Sequence, residues 1–169
     1  QKQKEEIAGN KIVVIENNKV AQRIFHEYLT ELKLKHEVLS TSENFDDNER
    51  KAAELMERLE KIDDMNAIIL SHNIYTGVDA INIARKIKSS AKLEKIPLIL
   101  TISSQEKFHL LQKDAKLFNR IITKPVKKSR LLLSLFFVLQ ITYHEEEGSL
   151  VKKGHIVHGK KMRTTGLKA

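Results

Sequence analysis

Glu16 with Asn17, His72, the pair Ile102–Ser103, and Lys124 are the residues whose types and spacing invite a chemical reading. Each stands at or just after the end of a short apolar run. The third run opens the stretch AIILSHNIYTGVDAINIARKI, residues 67–87, whose loop offers His72, Asn73, Tyr75 and Thr76 but no carboxylate before Asp79. Phosphoryl transfer to a carboxylate needs an oxygen nucleophile and a hard cation to neutralise the phosphate. Mg²⁺ asks for oxygen ligands, usually including one or two carboxylates. If folding gathers these positions, the set contains one certain carboxylate, Glu16, beside the neutral Asn17. An imidazole at position 72 is a poor Mg²⁺ ligand, and the Lys124 amine repels a cation. The expectation is a Glu16–Lys124 ion pair standing in for a metal. A histidine–metal site at His72 lacks a second His or acid at ligand spacing, so the plain expectation for His72 is a structural or surface role at the top of a strand.

The elements that position these residues are legible as hydrophobic runs. KIVVI (11–15), AIIL (67–70), IPLILTI (96–102) and RIIT (120–123) are continuous, largely β-branched strands, with Pro97 tolerated at a strand start. KHEVLST (35–41) alternates and predicts a strand nearer a sheet edge. Helical spacing places Val20, Ile24, Phe25, Tyr28 and Leu32 on one face of residues 18–33, with Asn18 as N-cap. Residues 48–62 turn Ala52, Leu55, Leu59 and Ile62 inward, and residues 76–90 keep Val78, Ile81, Ala84 and Ile87 in step. A short helix is expected over 105–115 and a last one from Val126 to about Tyr143.

Five βα repeats with strands apolar on both faces predict a parallel sheet covered by helices on each side. Right-handed crossovers leave a few doubly wound forms, of which the flavodoxin-like order 2-1-3-4-5 leads. In that order strands 1 and 3 are neighbours at the switch point, where ligands bind at the strands' carboxyl ends. The fold class is therefore α/β, with residues 1–9 as a lead-in, 10–143 as the domain and 144–169 as a basic flexible linker or tail.

These strand ends resemble the receiver domain of two-component response regulators. KIVVIENNKVAQRI is similar to that family's first strand with its acidic pair, IILSHNIYTGVDA to the strand ending in the phospho-accepting aspartate, IPLILTIS to the strand ending in a switch hydroxyl, and RIITKP to the fifth strand with its Lys-Pro pair. The resemblance covers roughly residues 10–141. Carried over by position, it puts the phospho-acceptor at His72, the two metal-binding acids at Glu16 and Asn17, and the metal-binding carbonyl at Ile74. The switch hydroxyl falls at Ile102, or at Thr101 or Ser103 after a one-residue slip; the aromatic switch position falls at Ile121, and the lysine is Lys124. The resemblance then implies a receiver that has lost phosphoacceptor chemistry and Mg²⁺ binding, has no cofactor and is not an enzyme. It would be a regulatory interaction module, one segment of a hybrid histidine kinase, with any kinase activity in other domains. The alternatives are an atypical phosphoacceptor and a stand-alone regulator that binds nucleic acid through its basic tail.

The last helix points to partners. VKKSRLLLSLFFVLQITY is apolar around most of its circumference, whereas a helix covering a sheet needs only about a 100° face. The surplus, assigned to Leu132, Leu135, Phe136 and Leu139, is expected to meet another domain of the same kinase, a two-component partner protein, or a second copy in a homodimer; deeper packing of this helix is the bland alternative. The chain of 169 residues suits one domain plus tails. It has no Cys, which excludes disulfides and thiolate sites and fits the cytosol, or the cytoplasmic part of a membrane-bound sensor kinase. No apolar run reaches the roughly 20 residues of a membrane span, so no membrane contact by this segment is expected. Net charge is +8. A solvated surface explains the excess better than nucleic acid does, because no aromatic residues interleave the tail lysines. The polar start without Met fits a segment from the middle of a longer chain.

Overall fold

The structure, a computed structural model, describes residues 6–42 and 47–148, with the side chains of 141–148 left aside. Five parallel strands, β1 (Lys11–Ile15), β2 (Lys35–Leu39), β3 (Ala67–Ser71), β4 (Leu98–Ile102) and β5 (Arg120–Thr123), form one sheet in the order 2-1-3-4-5. This is the doubly wound, flavodoxin-like arrangement expected from the apolar runs. All five residues of β3 and of β4 are buried, because helices cover both faces of these central strands. β2 is an edge strand, as its alternation suggests, and ends at Leu39.

Alternating strand residues feed two cores. On one face Val13, Ile15, Ile68, Leu70, Leu98, Leu100 and Ile102 pack under α2 (Asn48–Glu60) and α3 (Ala80–Lys88). On the other Ile12, Val14, Ile69, Ile99 and Ile122 pack under α1 (Lys19–Glu31) and α6 (Lys128–Gly148). Two short helices, α4 (Ser104–Phe108) and α5 (Gln112–Ala115), connect β4 to β5. The single helix expected over 105–115 is thus broken: Leu110 and Leu111 lie between the two pieces, Leu110 packs against the first core, and Leu111 is left exposed.

Other expectations shift in phase. On α1 the core face centres on Phe25, Leu29 and Leu32, while Val20 and Ile24 are exposed. The first core-facing turn of residues 76–90 is not α-helical: Ile74–Thr76 form a 3₁₀ turn that ends on Gly77, φ 89°, before Asp79 caps α3. The positive φ favours glycine at this position, while the one close neighbour a Cβ would meet, Lys51 Nζ at 2.7 Å, is the mobile end of a side chain and can move aside. Ile7 is buried in the second core, which makes the end of the 1–9 lead-in part of the domain. α6 continues to Gly148, into the segment expected as tail; the rest of 144–169 lies outside the described residues.

Candidate functional site at the strand ends

The register brings the predicted positions together. Glu16 extends the β1 ladder, its N–H donating to Leu39 O at 2.9 Å, and His72 extends β3, its N–H donating to Thr101 O at 2.9 Å. Lys124 follows β5, its N–H donating to Ile102 O. The peptide between Lys124 and Pro125 is cis.

His72 has a structural task. Its Nδ1 accepts the Ala80 N–H at 3.1 Å. Ala80 is the first residue of α3, so the imidazole satisfies one of the amides that a helix start leaves without an intrahelical partner. An accepting Nδ1 places the proton of the neutral ring on Nε2. Asp79 caps the same end, its Oδ1 accepting the Asn82 N–H, two residues further on, at 3.2 Å.

The expected Glu16–Lys124 ion pair is not formed. Lys124 Nζ donates instead to the backbone carbonyl of His72 at 3.1 Å. Glu16 is buried, 3% exposed, and its Oε2 accepts the Asn18 N–H at 3.0 Å. Its backbone carbonyl accepts from Gln22 Nε2 at 2.6 Å. The carboxylate therefore folds back on the start of α1, where a negative charge near backbone N–H groups is favourable.

Asn17 is a structural knot that no sequence signal announced. Its Nδ2 donates to Thr41 Oγ1 at 2.8 Å and to the Thr76 carbonyl at 2.7 Å, and its Oδ1 accepts the Thr41 N–H at 2.9 Å. One amide side chain thereby joins the ends of β1 and β2 to the loop after β3. It uses both donor and acceptor atoms, whereas an ionised aspartate has acceptors only. The Ile74 carbonyl accepts the Gly77 N–H at 3.2 Å, within the 3₁₀ turn, and the Ile74 side chain is exposed.

Of the three switch-hydroxyl candidates, Ile102 sits at the end of β4, buried in the core under α2 and α3. Thr101 alternates to the opposite face. Its Oγ1 and the Oγ of its cross-strand partner Ser71 are buried with no hydrogen-bond partner among the described residues. Ser103 caps α4 by accepting the Glu106 N–H at 3.1 Å. An open cleft of about 580 Å³ lies beside these residues, lined among others by His72, Ile74, Tyr75, Ser103, His109 and Lys124. Glu16 and Asn17 do not line it. Tyr75, 90% exposed, and Phe108, 84% exposed, stand free near it, and Phe108 makes an edge contact with His109 at 5.4 Å.

The α6 assignment needs correction. Leu135 and Leu139 are buried in the core with Leu131 and Val138, and Leu132 and Phe136 are half-buried against it. The apolar side chains facing solvent are Leu133 and Phe137, 49% and 42% exposed. Phe137 carries the Arg120 guanidinium 4.7 Å from its ring centre, a cation–π contact beside the outer edge of β5.

No protein-family model and no curated protein sequence matches the chain. Solved structures do. A sensor protein from Polaromonas sp. JS666 superposes with a TM-score of 0.64 at 14% identity, covering 78% of this chain and 97% of its own. The receiver domain of a sensor histidine kinase from Pseudomonas aeruginosa PAO1, which holds a magnesium ion in its active-site cleft, gives 0.59 at 18% identity, with 79% and 99% covered. A phosphorylated cyanobacterial phytochrome response regulator gives 0.51 at 25% identity, with 85% and 95% covered. The fold is that of receiver domains. Among the described residues no helix is long and apolar enough to cross a membrane.

Proposed function

We propose that this chain is a receiver-like module of two-component signalling that works by binding and is not phosphorylated. The observation carrying this reading is the commitment of His72. The side chain at the end of β3, where the resemblance places the phospho-accepting carboxylate, is an imidazole whose Nδ1 is bound to the Ala80 N–H. The oxygen nucleophile of that chemistry has no counterpart there.

The donor set also argues against Mg²⁺. The Asn17 amide presents N–H groups to Thr41 and Thr76. The one carboxylate accepts from the start of α1, and a lysine amine lies against the His72 carbonyl. A cation needing near-octahedral oxygens would meet one carboxylate, a positive amine and an imidazole.

What remains is surface. Leu133 and Phe137, four residues apart on α6, with Arg120 over the Phe137 ring, offer an apolar strip with a cationic margin next to a strand edge that is unpaired among the described residues. We assign this strip to contact with another domain of a two-component protein, within a cytoplasmic hybrid histidine kinase or its partner. Incubation with acetyl phosphate and Mg²⁺, read by intact mass, is expected to leave the protein unmodified. A stoichiometric phosphoryl adduct lost on His72 substitution would overturn the assignment.

A further inference from the structure

At the far edge of the sheet from the cleft, two imidazoles meet. His26 Nδ1 and His36 Nε2 lie 2.8 Å apart, with ring centroids at 4.9 Å and planes inclined at 61°. His26 is exposed on α1 and His36 is half-buried on β2. Neither contributes to the strand-end site: His36 lies opposite Ile12, near the amino end of the sheet.

The pair is held by rigid elements. Leu32 and Leu34, both buried, anchor the short turn between α1 and β2, and Lys33 adopts φ 62° within it. The turn is tied by Leu34 N–H to Leu29 O at 2.9 Å and by Gly9 N–H to Lys33 O at 2.9 Å. The two rings therefore face each other from a helix and a strand, the kind of support that fixes ligand geometry better than loops do.

The tautomers follow from the contacts. His36 Nδ1 lies 3.1 Å from the Leu34 carbonyl. A carbonyl only accepts, so Nδ1 carries the proton, and the Nε2 lone pair of the neutral ring faces His26. A carbonyl bound to the outer nitrogen is the arrangement that orients metal-ligating histidines. Between His36 Nε2 and His26 Nδ1 a single proton can be shared, and a metal ion can take its place, releasing that proton to solvent.

We propose that His26 and His36 form a two-imidazole site for a divalent transition-metal ion that favours imidazole nitrogen, such as Ni²⁺ or Cu²⁺. The two rings now meet nearly head-on, nitrogen to nitrogen at 2.8 Å with centroids at 4.9 Å, as a shared proton requires. Two nitrogens about 2.0 Å from a metal lie about 3 Å apart, so a rotation of the exposed His26 ring, with little change in separation, turns both lone pairs onto one ion. The remaining positions would be filled by water on the exposed side of His26. A bound ion would staple α1 to the edge strand.

The test uses the full chain titrated with Ni²⁺ alone, followed by amide NMR. Paramagnetic broadening at sub-stoichiometric metal is expected first around residues 24–28 and 34–38. Both His26→Gln and His36→Gln should weaken that site at least about tenfold, since even outer-shell partners are worth 10–100-fold. His26 is exposed, so its variant keeps the fold and separates lost ligation from unfolding. Broadening centred on His72, His109 or the histidines after residue 143, or unchanged in His26→Gln, would overturn the site.

Discussion

The Lys124 ammonium and the His72 carbonyl are joined at 3.1 Å across 52 residues of sequence. The bond fastens the end of β5 to the end of β3. It uses the lysine for a neutral partner although a carboxylate, Glu16, stands at the end of the neighbouring strand β1. Lys124→Met is expected to lower stability by about 1 kcal/mol, the scale of a part-buried hydrogen bond. In a double-mutant cycle with Glu16→Gln, the coupling should stay under about 0.5 kcal/mol, as for residues that share no contact. Chemical denaturation of the four proteins measures it, and a coupling above 1 kcal/mol would mean the two charges pair in solution.

Replacement of His72 separates the acceptor from the ring. In His72→Asn, the side-chain oxygen can stand near the place of Nδ1 and accept the Ala80 N–H. In His72→Ala, that amide loses its partner, at a cost of about 1 kcal/mol. Asn should therefore be the milder change by most of that amount, visible in the denaturation midpoint. Equal losses for the two variants would show that the Nδ1 contact does not hold the start of α3.

Much of this site was legible before any coordinates, and the reason is topological. Residues directly after apolar parallel strands must converge at one end of the sheet, so Glu16, Asn17, His72, Ile102 and Lys124 could be placed there from the runs alone. Their partners could not. The Asn17–Thr76 bond spans 59 residues and depends on where a 3₁₀ turn puts one carbonyl. The choice of Lys124 between Glu16 and a backbone oxygen depends on which way Glu16 bends. The helices erred for another reason. Val20, Ile24 and Leu135 are equally apolar in sequence, and only the phase of each helix on the sheet decided that Leu135 is core while Val20 and Ile24 face water. His26 and His36, ten residues apart, give no sequence signal until a tight turn folds strand against helix.

The acid cluster of the receiver resemblance can be rebuilt as a test of placement. Asn17→Asp alone loses both Nδ2 donations and sets a carboxylate against the Thr76 carbonyl, so it should destabilise by about 1–3 kcal/mol. Combined with His72→Asp, it restores three acids at the strand ends. Mg²⁺ should then raise the melting temperature of the double variant and leave the parent chain unmoved, since a ligand bound only to the folded state stabilises it by mass action. A thermal shift assay with Mg²⁺, and Ca²⁺ for comparison, measures this. No response in the double variant would mean that these residues do not surround the position the resemblance gives them.

The two kinds of apolar residue on α6 should part company under mutation. Leu135 is fully buried among Leu131, Val138 and the strands, so Leu135→Ala leaves a cavity and should cost about 2–5 kcal/mol. Leu133 and Phe137 are about half exposed. Leu133→Ser with Phe137→Ser removes little packed area, the main loss being the Phe137–Arg120 contact, worth about 0.5–1 kcal/mol at an exposed site. Folding stability should therefore fall by no more than about 2 kcal/mol, while any self-association or capture of a neighbouring domain through this strip weakens. Sedimentation and denaturation of the same samples read both effects. A double Ser variant that unfolds as readily as Leu135→Ala would place the strip in the core and remove it as a binding surface.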